Sequence, residues 1–284
     1  MMLLWLAVVL IIMGAFGFIG LQIRSAPFPP HPEGTKDRGK VPIPDDVPEP
    51  VRRYFRALAG GDEVPDTATA VSWARARIRM NGIPMNLRFK LYHDRGRNFR
   101  RDMDVTVFGF LPILHGTDLY SNGQGSMTIA GNTESGPKID QGALVSVWAE
   151  VLVMLPSAIL NAPNIRWEPV DDHRAKMIIE WKNGEEVLDL HFDPETGLFR
   201  KLTVPRYKGM ESEKVLWHVT VGNWKRVDKG AFGSMMVAQN WDVKWEDEDR
   251  PWFIVRGIDG IEWNVDVTDA FPEVFLNASG PRRA

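Results

Sequence analysis

The pattern of apolar and polar positions changes character several times along this chain. Residues Leu3 to Ile23 read LLWLAVVLIIMGAFGFIGLQI without one charged side chain. An apolar helix of that length rises roughly 30 Å, the thickness of a bilayer's hydrocarbon core. Prolines then stand at 27, 29, 30, 32, 42, 44, 48 and 50. So dense a run resists helix and sheet and predicts an extended, semi-stiff spacer holding the body off the bilayer. Val51, Tyr54, Phe55 and Leu58 follow at helical spacing ahead of Gly60 and Gly61, which predicts one short amphipathic helix. From about residue 68 the period drops to two. Ala74, Ala76, Ile78 and Met80 alternate with Arg75, Arg77 and Arg79. Leu87, Phe89 and Leu91, then Leu188, Leu190 and Phe192, then Trp241, Val243 and Trp245 alternate with polar residues in the same way. Alternation of this kind describes antiparallel strands with one face on a core. Asn81-Gly82, Asn122-Gly123 and Asn183-Gly184 supply turn chemistry between the runs.

One segment obeys neither period. QGALVSVWAEVLVMLPSAIL, 141–160, is apolar nearly all round. Ser146, Glu150 and Ser157 form a narrow polar stripe, and Leu144, Val145, Val147, Trp148, Val151, Leu152, Val153, Met154 and Leu155 cover the rest. An ordinary surface helix buries a stripe about 100° wide. Three readings compete for the surplus. A second membrane span is opposed by the shortness of 142–156 and by Glu150, whose insertion costs about 2–3 kcal/mol by analogy with aspartate. A helix wrapped by sheet would be plain core. A helix whose surplus apolar face borders a cavity would receive a ligand. In either of the last two, Glu150 is neutralised by desolvation or paired with a cation.

The pattern therefore predicts a mainly β, α+β fold. A curved antiparallel sheet or half-open barrel encloses an apolar helix at 142–156, preceded by one transmembrane helix. The expected divisions are an anchor over 1–24, a proline-rich linker over 25–50, a single β-rich domain over 51–276 and a tail over 277–284. A retained anchor fits the first segment better than a cleaved signal peptide, because MMLLW carries no basic residue and no small-x-small cleavage site follows. Arg24, Lys36, Arg38 and Lys40 all follow the span, and a plain count of flanking charge puts the body in the cytoplasm.

Composition narrows the chemistry mainly by exclusion. The net charge of −3 argues against nucleic acid as a partner. The absence of cysteine removes disulfides, thiolate metal sites and cysteine nucleophiles together. No nucleophile elbow, zinc-protease helix, Walker loop or dinucleotide fingerprint occurs, so no catalytic residue, cofactor or metal ligand is assigned. Residues 123–131, GQGSMTIAG, read as a hairpin rather than a phosphate loop. Asp171, Asp172 and His173, and His191 with Asp193, lie at strand ends where polar residues are expected in any case, and Asn277-Ala-Ser279 matches a glycosylation sequon. Eleven tryptophans suggest a thick core or a greasy pocket. Arginines and lysines at 75, 77, 79, 88, 90, 95, 97, 100 and 101 predict a basic outer sheet face. It is either simply solvated and offset by the acidic run at 246–249, or attracted to anionic headgroups.

VWAEVLVMLPSAILNAPNIRWEPVDDHRAKMII followed by HFDPETGLFRKLTVPRY resembles a bacterial domain family of unknown function, with a short anchor and a β-rich body. The matching residues are Glu150, Pro156, Ser157, Ile165, Trp167, Glu168, Asp171 and Ala175, then Phe192, Gly197, Arg206 and Tyr207. Asp118, Gly125 and Met127 match upstream and Trp241 downstream, so the likeness covers roughly 105–265. That pattern is similar in turn to the LolA/LolB half-barrel, in which a curved sheet wraps helices around an acyl-chain cavity. The resemblance implies a body outside the cytoplasm, against the charge count. This chain departs from those carriers in having a membrane span and no lipobox cysteine.

Together these expectations describe a non-catalytic binding module for a hydrophobic or lipid ligand, tethered to the membrane through residues 3–23. Trp148, Glu150, Leu152, Leu155, Trp167, Arg206, Tyr207 and Trp241 are the expected cavity residues. An envelope interaction domain without a small ligand is one alternative. A hydrolase using Glu150, Asp118 or Asp171 is another, and a perturbed carboxylate beside Arg206 would favour it.

Overall fold

A computed structural model describes residues 1–182 and 184–271; the expected tail over 277–284, the Asn277 sequon and Asn183 lie outside them. Helix α1 (Met2–Gln22) is the apolar N-terminal segment, and almost none of it is covered by the rest of the chain. A short strand β1 (Lys40–Pro42) and helix α2 (Glu49–Ala59) precede β2 (Glu63–Pro65), which pairs antiparallel with β1. Helix α2 starts at a proline-bearing first turn and stops at Gly60, whose φ of 84° gives the left-handed cap that glycine adopts freely. Its Val51, Tyr54, Phe55 and Leu58 are fully buried, each side chain contributing about 1.5–3 kcal/mol of hydrophobic transfer. The Tyr54 hydroxyl donates to the Leu152 carbonyl at 2.8 Å, and burial pushes its phenol well above the usual range.

The body is one antiparallel sheet of 13 strands among the described residues. Its first run is β3 (Thr69–Met80), β4 (Ile83–Asp94), β5 (Asn98–Val107), β6 (Leu111–Ser121), β7 (Gln124–Ile129) and β8 (Asn132–Ser135). Helix α3 (Pro137–Met154) and the short α4 (Pro156–Leu160) then carry the chain to the other edge. The second run is β9 (Ile165–Asp171), β10 (Arg174–Trp181), β11 (Gly184–Phe192), β12 (Phe199–Tyr207), β13 (Lys214–Asp228), β14 (Ser234–Trp245) and β15 (Phe253–Trp263). Every strand pairs with its sequence neighbour within a run, and β15 joins the runs by pairing with β3. β8 and β9 are left as the two edges, with α3 between them on the concave side.

Tight turns make the meander. Asn81-Gly82, Asn122-Gly123 and Ala130-Gly131 are two-residue hairpins with both residues at positive φ, the conformation that matches strand twist. Arg95-Gly96 and Phe108-Gly109 have the same φ signs within three-residue connections, 95–97 and 108–110. Phe108, at φ 55°, is a bulky residue in a region such residues rarely adopt.

Helix α3 begins five residues before the expected start, because Gly136 turns the chain at φ 118° and Pro137 takes the first turn. It breaks at Leu155, where Pro156 forces the preceding residue out of helical geometry.

Residues 25–39 do not act as a free spacer. Ser25 bonds Thr106 at 2.8 Å, Lys90 Nζ donates to the Pro29 carbonyl, and Thr35 donates from backbone and hydroxyl to Glu262. The chain therefore runs along the convex face of the sheet. Proline keeps it extended, but its carbonyls and interspersed polar side chains find partners there, which composition could not show.

The basic outer face is partly neutralised within the sheet. Arg88 pairs with Asp104 at 2.9 Å, Arg100 with Asp102 at 3.0 Å, and Arg75 with Asp259. The acidic run at 246–249 instead engages Lys208 and His218.

Gly125 seats α3 on β7: a Cβ there would stand 2.8 Å from the Ile139 carbonyl oxygen and 2.9 Å from Ala143 Cβ. Gly125→Val is expected to lower stability by about 1–3 kcal/mol through this overpacking. Urea denaturation of both chains checks it, and a midpoint equal to the parent's would contradict the seating.

Candidate ligand-binding cavity

The bulky apolar side chains of α3 are covered by protein. Val145, Val147, Val151, Leu152 and Leu155 are fully buried, and Trp148 nearly so. The surplus apolar surface expected on this helix is absent, because sheet, α2 and α4 surround it. Trp148 packs beside the Arg95-Gly96 turn, where a Cβ on Gly96 would lie 3.1 Å from its ring.

Space opens instead along the opposite side of α3. Ile139, Gly142, Ala143, Ser146, Ala149, Glu150 and Met154 recur every three or four residues and face a cavity of about 240 Å³. That falls somewhat below the usual size of ligand pockets, roughly 300–1,000 Å³. Most of these side chains are small, so the helix leaves a trough that its neighbours do not fill. The sheet supplies the apolar wall. Phe89 and Leu91 come from β4, Phe99 from β5, Trp217 and Val219 from β13, Trp241, Val243 and Trp245 from β14, and Phe253 and Val255 from β15. Their alternation along each strand puts them on one face.

Of the expected site residues, Glu150, Arg206, Tyr207 and Trp241 line this cavity. Trp148, Leu152 and Leu155 lie on the packed side of α3, and Trp167 is half-buried on β9 against the core, outside the lining. Asp118 lines the cavity, whereas Asp171 is exposed at the end of β9. Arg101 escaped the sequence reading, which put it on the outer face. Its parity with Phe99 and Val105 turns it inward, and that alternation was legible.

Arg101 organises the polar wall. It sits directly across from Asp118 in the β5–β6 register and bonds that carboxylate at 3.1 Å. A second nitrogen donates to Glu150 Oε1, while His93 Nε2 lies 3.1 Å from Glu150 Oε2. The two carboxylates respond differently. Burial pushes the Asp118 carboxyl above its usual range, against the pull of Arg101 and Arg206. Burial acts on Glu150 in the same direction, but Arg101 and His93 outweigh it and hold the carboxyl below its usual range.

Arg206 forms the other part of the wall. Its Nε donates to the Gly142 carbonyl at 3.0 Å and an η nitrogen to Ser146 Oγ at 3.2 Å. The guanidinium stacks over Trp217 and Trp245, 4.8 and 5.4 Å from their ring centres. Burial brings its pKa down to about 10. The Nε1–H groups of Trp217 and Trp252, both lining residues, are buried without a partner. Among the described residues no group of three or more His, Cys, Asp or Glu is placed to hold a metal ion.

Fold and site define a half-open antiparallel barrel with an internal helix and an apolar cavity that has one charged wall. The chain belongs to DUF6544, a family of unknown function, whose model matches residues 42–257. No curated protein sequence matches it. A putative outer membrane lipoprotein-sorting protein domain from Vibrio parahaemolyticus has a similar structure, at 12% identity over 73% of this chain and 91% of that one, with a TM-score of 0.42. A LolA superfamily protein from Nitrosomonas europaea is similar at 8% identity, over 78% and 94%, with a TM-score of 0.43. A DUF1329 family protein from Desulfovibrio piger is similar at 12% identity, over 74% and 91%, with a TM-score of 0.43.

The opposed carboxyl shifts give a test. A lowered folded pKa at Glu150 contributes stability above the unfolded value, about 4.3, which is lost as pH falls through the folded one. A raised folded pKa at Asp118 contributes stability below about 3.9, which is lost as pH rises. Glu150→Gln is therefore expected to flatten the gain in stability between about pH 3 and 5, and Asp118→Asn to steepen it. Urea midpoints across that range check both slopes, and unchanged slopes in both variants would contradict the assignment.

Proposed function

We propose that this protein is a non-catalytic, membrane-tethered binding module for a hydrophobic or lipid ligand. The observation that carries the proposal is the cavity itself. Aromatic and aliphatic side chains from strands β4, β5, β13, β14 and β15 line it, and a trough of small residues on α3 keeps it open. Apolar walls favour an alkyl or ring system through the area it removes from water. Arg206, with its stacked indoles and the unpartnered N–H groups, offers donors to a polar head. Helix α1 supports the tether, because Leu4–Gln22 is long and apolar enough to cross a bilayer. The extracytoplasmic location of the body is the part of the proposal taken from the family resemblance.

Leu152 belongs to the packed core, so Leu152→Asp would unfold the domain and cannot report on ligand. Ala149, which faces the cavity, is the better position. The full chain is expected to carry lipid through detergent purification and to bind a dansylated fatty acid. Ala149→Phe, filling the trough, is expected to lower both by about tenfold with little change in melting temperature. Native mass spectrometry and dansyl titration check this, and a parent chain with neither lipid nor dansyl binding would overturn the proposal.

Hydrolysis is the second reading, favoured by one observation. Asp118 and Glu150 border the same cavity with their pKa values pushed apart, the pattern of an acid and a base. Turnover of an acyl ester that Asp118→Asn abolishes while dansyl binding persists would establish it. Turnover equal in the variant, or absent from the parent, would remove it.

A further inference from the structure

The described turns fall at two opposite ends of the meander, and α1 joins one of them. Ser25 meets Thr106, the Gly20 carbonyl accepts from the Phe108 amide at 2.9 Å, and the Phe16 ring lies 4.8 Å from that of Phe108. Followed backwards, the chain thus climbs toward the β5–β6 turn, and the earlier part of α1 projects beyond it, uncovered. Gln22 Nε2 donates to the Pro84 carbonyl at 2.8 Å, and Asn86 donates to the Leu21 carbonyl, so the β3–β4 turn stands at the same height. The contact is close: a Cβ on Gly20 would lie 2.5 Å from Val107, and one on Gly109 2.7 Å from the Arg24 carbonyl oxygen.

These two turns carry large apolar side chains that nothing in the chain covers. Ile83 is 47% exposed, Phe110 69%, Leu111 51% and Ile113 54%. A soluble surface gains nothing from such a cluster, whereas a leaflet surrounding α1 would bury it. Arg24 follows the last turn of α1 and Arg77 donates to the Gln22 side chain within it, both within reach of phosphate by snorkelling.

The cavity opens at this same end. Its partly exposed lining residues Lys138, Tyr207, Gly209 and Trp252 lie at the start of α3, the end of β12 and the start of β15. The Arg79 amide donates to the Trp252 carbonyl at 2.8 Å, which sets Trp252 beside the β3–β4 turn. Tyrosine and tryptophan are the side chains that settle at membrane interfaces. At the far end the lining residues Leu91, Phe99 and Met154 are buried, and α2 lies against the last turn of α3.

We propose that the β3–β4 and β5–β6 turns dip into the phospholipid leaflet beside α1, so that the cavity mouth faces acyl chains and lipid enters from the bilayer. This rests on the reading of α1 as a membrane span and of the cavity as a lipid site. The chain has no cysteine, so single spin labels are straightforward. Full-length Ile83→Cys, Phe110→Cys and Glu195→Cys would be labelled in phosphatidylcholine/phosphatidylglycerol nanodiscs; Glu195 is exposed in the β11–β12 turn at the opposite end. Labels at 83 and 110 are expected to favour dissolved oxygen over a water-soluble nickel chelate, with the reverse at 195. Accessibility at 83 and 110 matching that at 195 would overturn the proposal. A second readout is transfer of dansylated fatty acid from vesicles of the same lipids. Phe110→Ser combined with Ile113→Ser is expected to slow uptake at least about tenfold, with binding from detergent solution unchanged. Unchanged uptake would also count against the docking. Loss of detergent-phase binding in the parent would refute the lipid-site reading and leave the label result to judge the docking.

Discussion

A helix with bulky apolar side chains over most of its circumference must be wrapped, and wrapping α3 is the constraint that shapes this molecule. A flat sheet offers it one face. Here the β3–β15 pairing joins two antiparallel runs into a single curved sheet, and α3 lies in the curve between the free edges β8 and β9. α2 covers the helix further, with the Tyr54 hydroxyl satisfying the Leu152 carbonyl at the end of α3, where no later helical amide reaches it. Val145, Leu152 and Leu155 are buried as a result. The helix is left with one side that is not filled, and that side bears glycine, alanine and serine.

The cavity thus arises from missing volume. Because the trough is narrow and walled by aromatic rings, charges bordering it feel a low dielectric and must be balanced locally. Arg101 does this for two carboxylates at once, with His93 completing the set around Glu150. Arg206 is balanced differently, by stacking on two indoles and donating to a helix carbonyl and a serine. An apolar channel with a fixed, nearly neutral polar wall suits an amphiphile better than a soluble ion.

Much of this is legible in the sequence alone. Alternation at Leu87–Leu91, at Leu188–Phe192 and at Trp241–Trp245 marked the strands, and Val51, Tyr54, Phe55 and Leu58 marked α2. Asn81-Gly82 and Asn122-Gly123 marked two turns, but Ala130-Gly131 makes the same two-residue turn, and Arg95-Gly96 and Phe108-Gly109 open three-residue ones, with first residues that carry no turn signal. The site was legible in part. Glu150, Arg206, Tyr207 and Trp241 do meet at the cavity, whereas Trp148, Leu152 and Leu155 were chosen for their size and for that reason ended in the core. The Gly142, Ala143, Ser146, Ala149 stripe held the missing clue, since small residues at helical spacing leave room. Arg101 was hidden by counting charges along β5 instead of following the parity of Phe99 and Val105. The course of residues 25–39 depends on partners more than 200 residues away, such as Glu262, and no local pattern encodes that.

The central claim is that the trough between α3 and the aromatic wall is a ligand site and not a packing defect. An electron-density map of the full chain, purified without delipidation, tests it most directly. Elongated density running from Ala149 and Trp241 toward Trp252, with a polar end at Arg206, is the result this account requires. A trough closed by repacked side chains, or filled only by ordered water, would contradict it.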